Sequence, residues 1–279
     1  MAAPTAPPLM VDWLEEHGQP NLAISSESAI LVDVDSKEVM WARAEHSRRP
    51  PASLTKMVTA LVAADLASSF DQEVTVPVEA TTLESDSTMM GLSAGEVVTV
   101  RDLMYGMFLV SGNDAAETLA RVFVPRERFI QMMNDKAVAL GMLDSHFTNA
   151  DGLDDPELRA SAYDLAIAAT TIATRYPGIM AITGAKVEVL PQTPTHKAYA
   201  FNTFIKLVST YPGATGLKTG YTDDAGYCLA GTATRGDRHM LVVLMAGDLG
   251  LTNDATKLLD YGFSEPRPAP SSFQTIPTH

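Results

Sequence analysis

The chain has 279 residues, enough for one large domain or two modest ones, and 46% of them are hydrophobic, enough to bury a sizeable core. A net charge of −14, from 20 Lys and Arg against 34 Asp and Glu, argues against nucleic acid or an anionic membrane surface as partner, because clustered cations hold both. The single cysteine, Cys228, excludes an internal disulfide, and the six histidines lack ligand-like spacing, so no metal site or other cofactor is expected.

In chain order, residues 1–24 are Pro-rich and then polar, lack the basic and apolar regions of an export signal, and read as an N-terminal tail and lead-in. Residues 29–33 predict a strand, Asp35-Ser36-Lys37 a turn, and 38–42 the second arm of a hairpin. Pro50-Pro51 then marks the start of a helix. Leu54, Met57, Val58, Leu61 and Val62 recur at the spacing of one helical face, which runs to about Leu66. Residues 67–97 are polar and mixed, with Met89-Met90-Gly91-Leu92 placed to pack a loop against the core. Thr99 opens a helix whose Leu103, Met104, Met107 and Phe108 point inward. It breaks at Val110-Ser111-Gly112-Asn113, and a new helix starts at Asp114. Further helices are predicted over 125–140 and 160–173.

From Gly213 the pattern changes. Residues 214–221, 227–234 and 239–246 read as an antiparallel meander, with turns at 223–226 and 236–237. The longest apolar run, around 240–246, suits a buried strand and is far short of a membrane span. A last helix over 252–262 covers one face, and residues 265–279 form a Pro-rich tail. Hairpin, helices, meander, helix predicts one α+β unit over 25–264, with the ends of its sheet paired and a helical lobe inserted.

The chemistry begins at Ser53-Leu54-Thr55-Lys56. From Ser53 to Ala64 the only charged side chain is Lys56, on a helix apolar enough to be buried. Ser53 and Lys56 stand three apart, so their side chains can meet. A serine hydroxyl becomes a nucleophile when a neighbour takes its proton, and a desolvated lysine can do so because burial disfavours its charged form. An N-capping serine beside a lysine whose stem reaches water also meets this spacing. Two further short signals follow in order, Ser111-Gly112-Asn113 and Lys218-Thr219-Gly220. Each alone also suits a plain turn, and their joint occurrence on a helix start, an interhelical break and a strand is what points to a catalytic site.

With these signals the chain resembles the serine-type D-alanyl-D-alanine carboxypeptidases, the low-molecular-mass penicillin-binding proteins. The likeness extends to Pro-Pro-Ala-Ser-Leu-Thr-Lys (50–56), Ser-Gly-Asn-Asp-Ala-Ala (111–116) and Gly-Leu-Lys-Thr-Gly-Tyr-Thr (216–222), and covers roughly 29–263. It implies the β-lactamase/transpeptidase-like fold, an antiparallel sheet flanked by helices with an all-helical lobe, and an active site between them. It implies as partners peptidoglycan stem peptides ending in D-Ala-D-Ala, and β-lactams, handled outside the cytoplasm. Carried over by position, Ser53 is the nucleophile, Lys56 its base, and Ser111 the relay to the leaving D-alanine. Asn113, Lys218, Thr219 and Gly220 bind substrate, and the backbone N–H groups of Ser53 and Tyr221 form the oxyanion hole. The family's C-terminal β-domain and membrane anchor have no counterpart expected here. An arginine that family members carry after the last strand is missing from 247–253.

Two rivals stay open at this point. A β-lactamase on the same fold would use a glutamate, for which Asp155-Pro156-Glu157-Leu158 is the candidate, although Gly112 stands where class A enzymes have Asp. A non-catalytic receptor for wall peptides or β-lactams is the other.

Overall fold

The computed structural model describes residues 9–83 and 87–268, so the outer parts of both predicted tails lie outside the described residues. Along the chain run α1 (Asp12–His17), β1 (Ser28–Asp33) and β2 (Glu38–Arg43), then a 3-10 turn (Ala52–Thr55) that continues into α2 (Lys56–Leu66). Next come β3 (Glu73–Thr75), β4 (Val97–Thr99), α3 (Val100–Leu109), α4 (Asn113–Val122), α5 (Arg126–Leu140), α6 (Ala162–Arg175) and α7 (Pro177–Thr183). The chain ends with β5 (Val187–Leu190), β6 (Tyr199–Asn202), α8 (Lys206–Thr210), β7 (Ala214–Thr222), β8 (Gly226–Arg235), β9 (Arg238–Gly247) and α9 (Leu251–Ser264).

The main sheet has the order β2-β1-β9-β8-β7, antiparallel throughout. The meander joins the hairpin through β1 and β9, as predicted, and β7 is left at an edge. Side-chain alternation then splits the core. Ile30, Val32, Leu241, Val243 and Met245 face α6 and the helical lobe. Ala29, Leu31, Met240, Val242 and Leu244 face α1, α8 and α9 on the other side. Covering both faces explains why β1 and β9 are apolar runs and do not alternate with polar residues. Each such fully buried Leu, Ile or Val contributes roughly 1.5–3 kcal/mol. The fold is α+β, and the helical lobe meets edge strand β7 through the 3-10 turn and α3.

Local signals place the lobe. Thr99 caps α3 reciprocally: its hydroxyl accepts from Asp102 N at 3.1 Å, and the Asp102 carboxylate accepts from Thr99 N at 2.9 Å. Ser161 caps α6, accepting from Asp164 N at 3.1 Å.

The structure departs from expectation where elements are short. The stretch read as a tail and lead-in contains α1, whose Trp13 is buried and donates its amide to Glu38 Oε2 at 3.1 Å. Six residues carry too few turns for a periodic signal, and tertiary packing holds this helix. The polar stretch after α2 pairs β3 with β4, three residues each. Between 174 and 212, where no element is predicted, the chain forms α7, the β5–β6 hairpin and α8. Among the described residues no single helix is long and apolar enough to cross a membrane.

Candidate active site

The nucleophile candidate stands on the 3-10 turn that begins after Pro51. The sequence predicted α-helix from Ser53 on. The tighter turn serves contact better, since three residues per turn bring positions i and i+3 onto one line. Lys56, first residue of α2, is fully buried with its Nζ 2.8 Å from Ser53 Oγ. The same Nζ lies 2.7 Å from Asn113 Oδ1 and 2.5 Å from the carbonyl oxygen of Asp151. Those two oxygens only accept, so each takes an N–H. A neutral amine placed this way has its lone pair left for the Ser53 hydroxyl.

Burial lowers the Lys56 pKa to about 8, partly opposed by the charges of Asp151 and Asp114. Lys218, on β7, is also fully buried, and its Nζ donates to Ser111 Oγ at 2.9 Å and to Thr219 O at 2.7 Å. Desolvation and then the nearby Lys56 charge push Lys218 well below the ordinary lysine range.

Ser111 sits between α3 and α4 with φ 59°, and Ala52, just before the nucleophile, has φ 48°. Left-handed backbone at non-glycine residues costs on the order of 1–3 kcal/mol and gathers at working sites. The surroundings hold both in place. The buried Asp114 carboxylate accepts from the amides of Met90, Gly91 and Leu92 at 2.7, 2.8 and 2.8 Å, which ties the predicted 89–92 loop to the Ser111 turn. Asn113, at the start of α4, donates from Nδ2 to Ser87 Oγ at 3.1 Å. Opposite Ala52, Gly152 has φ +88°, and a Cβ there would stand 1.9 Å from Ala52 O, so only glycine fits.

Strand β7 runs directly past the nucleophile. A Cβ at Gly220 would lie 2.8 Å from Ser53 N, so a bare residue lets the strand approach. The Tyr221 hydroxyl donates outward to Asp223 Oδ1 at 2.9 Å, so its side chain points away from Ser53. Ser53, Ser111, Thr219, Gly220 and Tyr221 line one cleft of about 320 Å³. Cys228 also lines it but is buried, and its thiol is pushed up to about 11 by desolvation.

All eight site residues predicted from sequence are therefore within this one region. The parts missed are the Asp151 carbonyl, Gly152 and the Asp114 carboxylate. Asp114 had a readable signal, an acid in the first turn of a helix. A backbone carbonyl has none. Glu157, the candidate for a β-lactamase-type glutamate, is exposed, and no glutamate is among the described residues lining the cleft.

A family model described as D-alanyl-D-alanine carboxypeptidase matches residues 15–248. The chain belongs to the D-alanyl-D-alanine carboxypeptidase family. Among curated family members, that of Mycobacterium tuberculosis is 33% identical over 246 residues, covering 86% of this chain and 82% of the relative. That of Bacillus subtilis is 33% identical over 252 residues, covering 88% of this chain but 64% of the relative, so the chain spans about two-thirds of that protein. The crystal structure of a D-alanyl-D-alanine carboxypeptidase from Mycobacterium tuberculosis superposes with a TM-score of 0.83 at 32% identity, covering 91% of this chain and 97% of that one. A Streptomyces DD-transpeptidase gives a TM-score of 0.82 at 28% identity over 88% of this chain and 100% of that one. The family fold is thus the α+β fold expected.

Proposed function

We propose that this chain is a serine D-alanyl-D-alanine carboxypeptidase acting outside the cytoplasm on peptidoglycan stem peptides, and that β-lactams acylate the same serine. The contact of the fully buried Lys56 Nζ with Ser53 Oγ at 2.8 Å, at the wall of the cleft, carries this reading. Neutral Lys56 takes the Ser53 proton as Oγ attacks the carbonyl carbon of the D-Ala-D-Ala bond. The oxyanion is met by the N–H groups of Ser53 and Tyr221, donors of a kind typically worth about 3–4 kcal/mol in the transition state. The C–N bond then breaks. Ser111, in hydrogen-bond contact with Lys218, passes a proton to the departing amine, and the acyl-Ser53 ester is hydrolysed by water. Asn113 holds the peptide backbone, Thr219 binds near the terminal carboxylate, and Gly220 leaves the β7 edge open for an extended peptide.

The test is mass spectrometry after incubation with benzylpenicillin, alongside release of D-alanine from a peptide ending D-Ala-D-Ala. A penicilloyl adduct on the Ser53 peptide, lasting many minutes, together with D-alanine release, is the expected result. A short-lived adduct with rapid drug turnover would indicate a β-lactamase, and an adduct without D-alanine release a receptor.

The site also fixes a pH dependence. Lys56 must be neutral to accept a proton and its pKa is lowered to about 8, so protonation switches the base off as pH falls. Acylation by benzylpenicillin should level off above pH about 8 and fall roughly tenfold per unit below it, as measured by stopped-time adduct formation. A flat profile from pH 6 to 9 would remove Lys56 from the base role.

A further inference from the structure

A peptide ending in D-Ala-D-Ala brings a carboxylate into a protein of net charge −14, whose field repels it. Something in the cleft has to offset that. Lys56 and Lys218 are buried and already engaged, Lys56 with three oxygens and Lys218 with two. Among the described residues that line the cleft, Lys206 is the only other cation. It begins α8, which packs against β7 and α9, and it is exposed. No carboxylate pairs with it among the described residues, although most other lysines and arginines of the surface have such a partner. One acid, Asp248, shares the cleft, and its Oδ1 is turned to Ser25 Oγ at 3.0 Å and to the Gly250 amide at 2.7 Å.

We propose that Lys206 is the specificity-determining residue that pairs with the free C-terminal carboxylate of the substrate in the cleft it shares with Ser53 and Thr219. This rests on the carboxypeptidase reading above. Lys206 lies on α8, while the segment after β9 offers Asp248, Leu249 and Leu251 to the cleft and no cation. Leu249, Phe204 and Tyr221 are exposed around the cleft and give the pair a partly apolar setting, where a single charge contact is less screened than on open surface.

The experiment compares one stem peptide with a free C-terminal carboxylate and the same peptide amidated there, for wild type, Lys206→Ala and Lys206→Arg. In Lys206→Ala the ratio of kcat/KM, carboxylate over amide, should fall up to about fivefold, mostly through KM, as expected for one partly screened charge pair. Lys206→Arg should restore most of the ratio. High salt should lower the wild-type ratio and leave that of Lys206→Ala where it is. Equal losses on both peptides, or an unchanged ratio in an active Lys206→Ala enzyme, would overturn the role of Lys206 alone. A wild type that releases product from neither peptide and takes no penicillin adduct would instead overturn the carboxypeptidase reading, and this proposal with it.

Discussion

Lys56→Met should slow penicillin acylation of Ser53 by about 10²–10⁴-fold, the range a positioned general base supplies. Methionine matches the length of the lysine stem and suits a site that is wholly buried. Two costs and one gain then compete in the folded state. Asn113 Oδ1 and Asp151 O each lose a donor, at roughly 1–3 kcal/mol apiece when buried. Against this, an amine that burial disfavours is gone. The unfolding midpoint should therefore shift by only a few degrees, and circular dichroism should report an intact fold. The residual acylation should also lose its rise toward pH about 8, because the titrating group has been removed. A variant that keeps both the rate and the pH profile would place the base elsewhere.

Asp114→Ala should be the most destabilising of the simple truncations near the site. Its carboxylate is fully buried and accepts from four backbone amides, those of Met90, Gly91, Leu92 and Ala115. Alanine supplies no acceptor, and the pocket is closed to bulk water. With roughly 1–3 kcal/mol for each buried donor left unpaired and some relaxation of the loop, a loss of about 3–5 kcal/mol is expected. For a chain of this size that lowers the melting midpoint by on the order of 10 °C, readable by calorimetry. Asp114→Asn should fall between, since one carbonyl oxygen still accepts. Activity should drop in Asp114→Ala even well below the transition, because the tie between the 89–92 loop and the Ser111 turn is cut. A midpoint within two degrees of wild type would show that the loop is held by other contacts.

Much of the molecule is legible in its sequence. The three motifs carried the site because each combines a side chain with an element start, an interhelical break or a bare strand, and the fold had only to bring those ends together. Strands β1 and β9 showed as apolar runs, and Thr99 and Ser161 marked helix starts through their caps. What escaped detection had weak local signals. β3 and β4 offer three residues each, and α8 offers five, lengths at which no periodicity accumulates. The Asp151 carbonyl was invisible for another reason: every residue has one, and only tertiary structure decides which faces a lysine. Lys218 stood out through its motif, whereas the depth of its burial, which pushes its pKa down, is not written in a strand sequence.

The protonated state of Cys228 has a practical side. A buried thiol pushed up to about 11 will react only slowly with maleimides and iodoacetamides under ordinary conditions. A reporter thiol installed on the exposed flank of α5, for instance Val138→Cys, would react far faster, so a fluorophore or spin label could be attached there without first mutating the native residue.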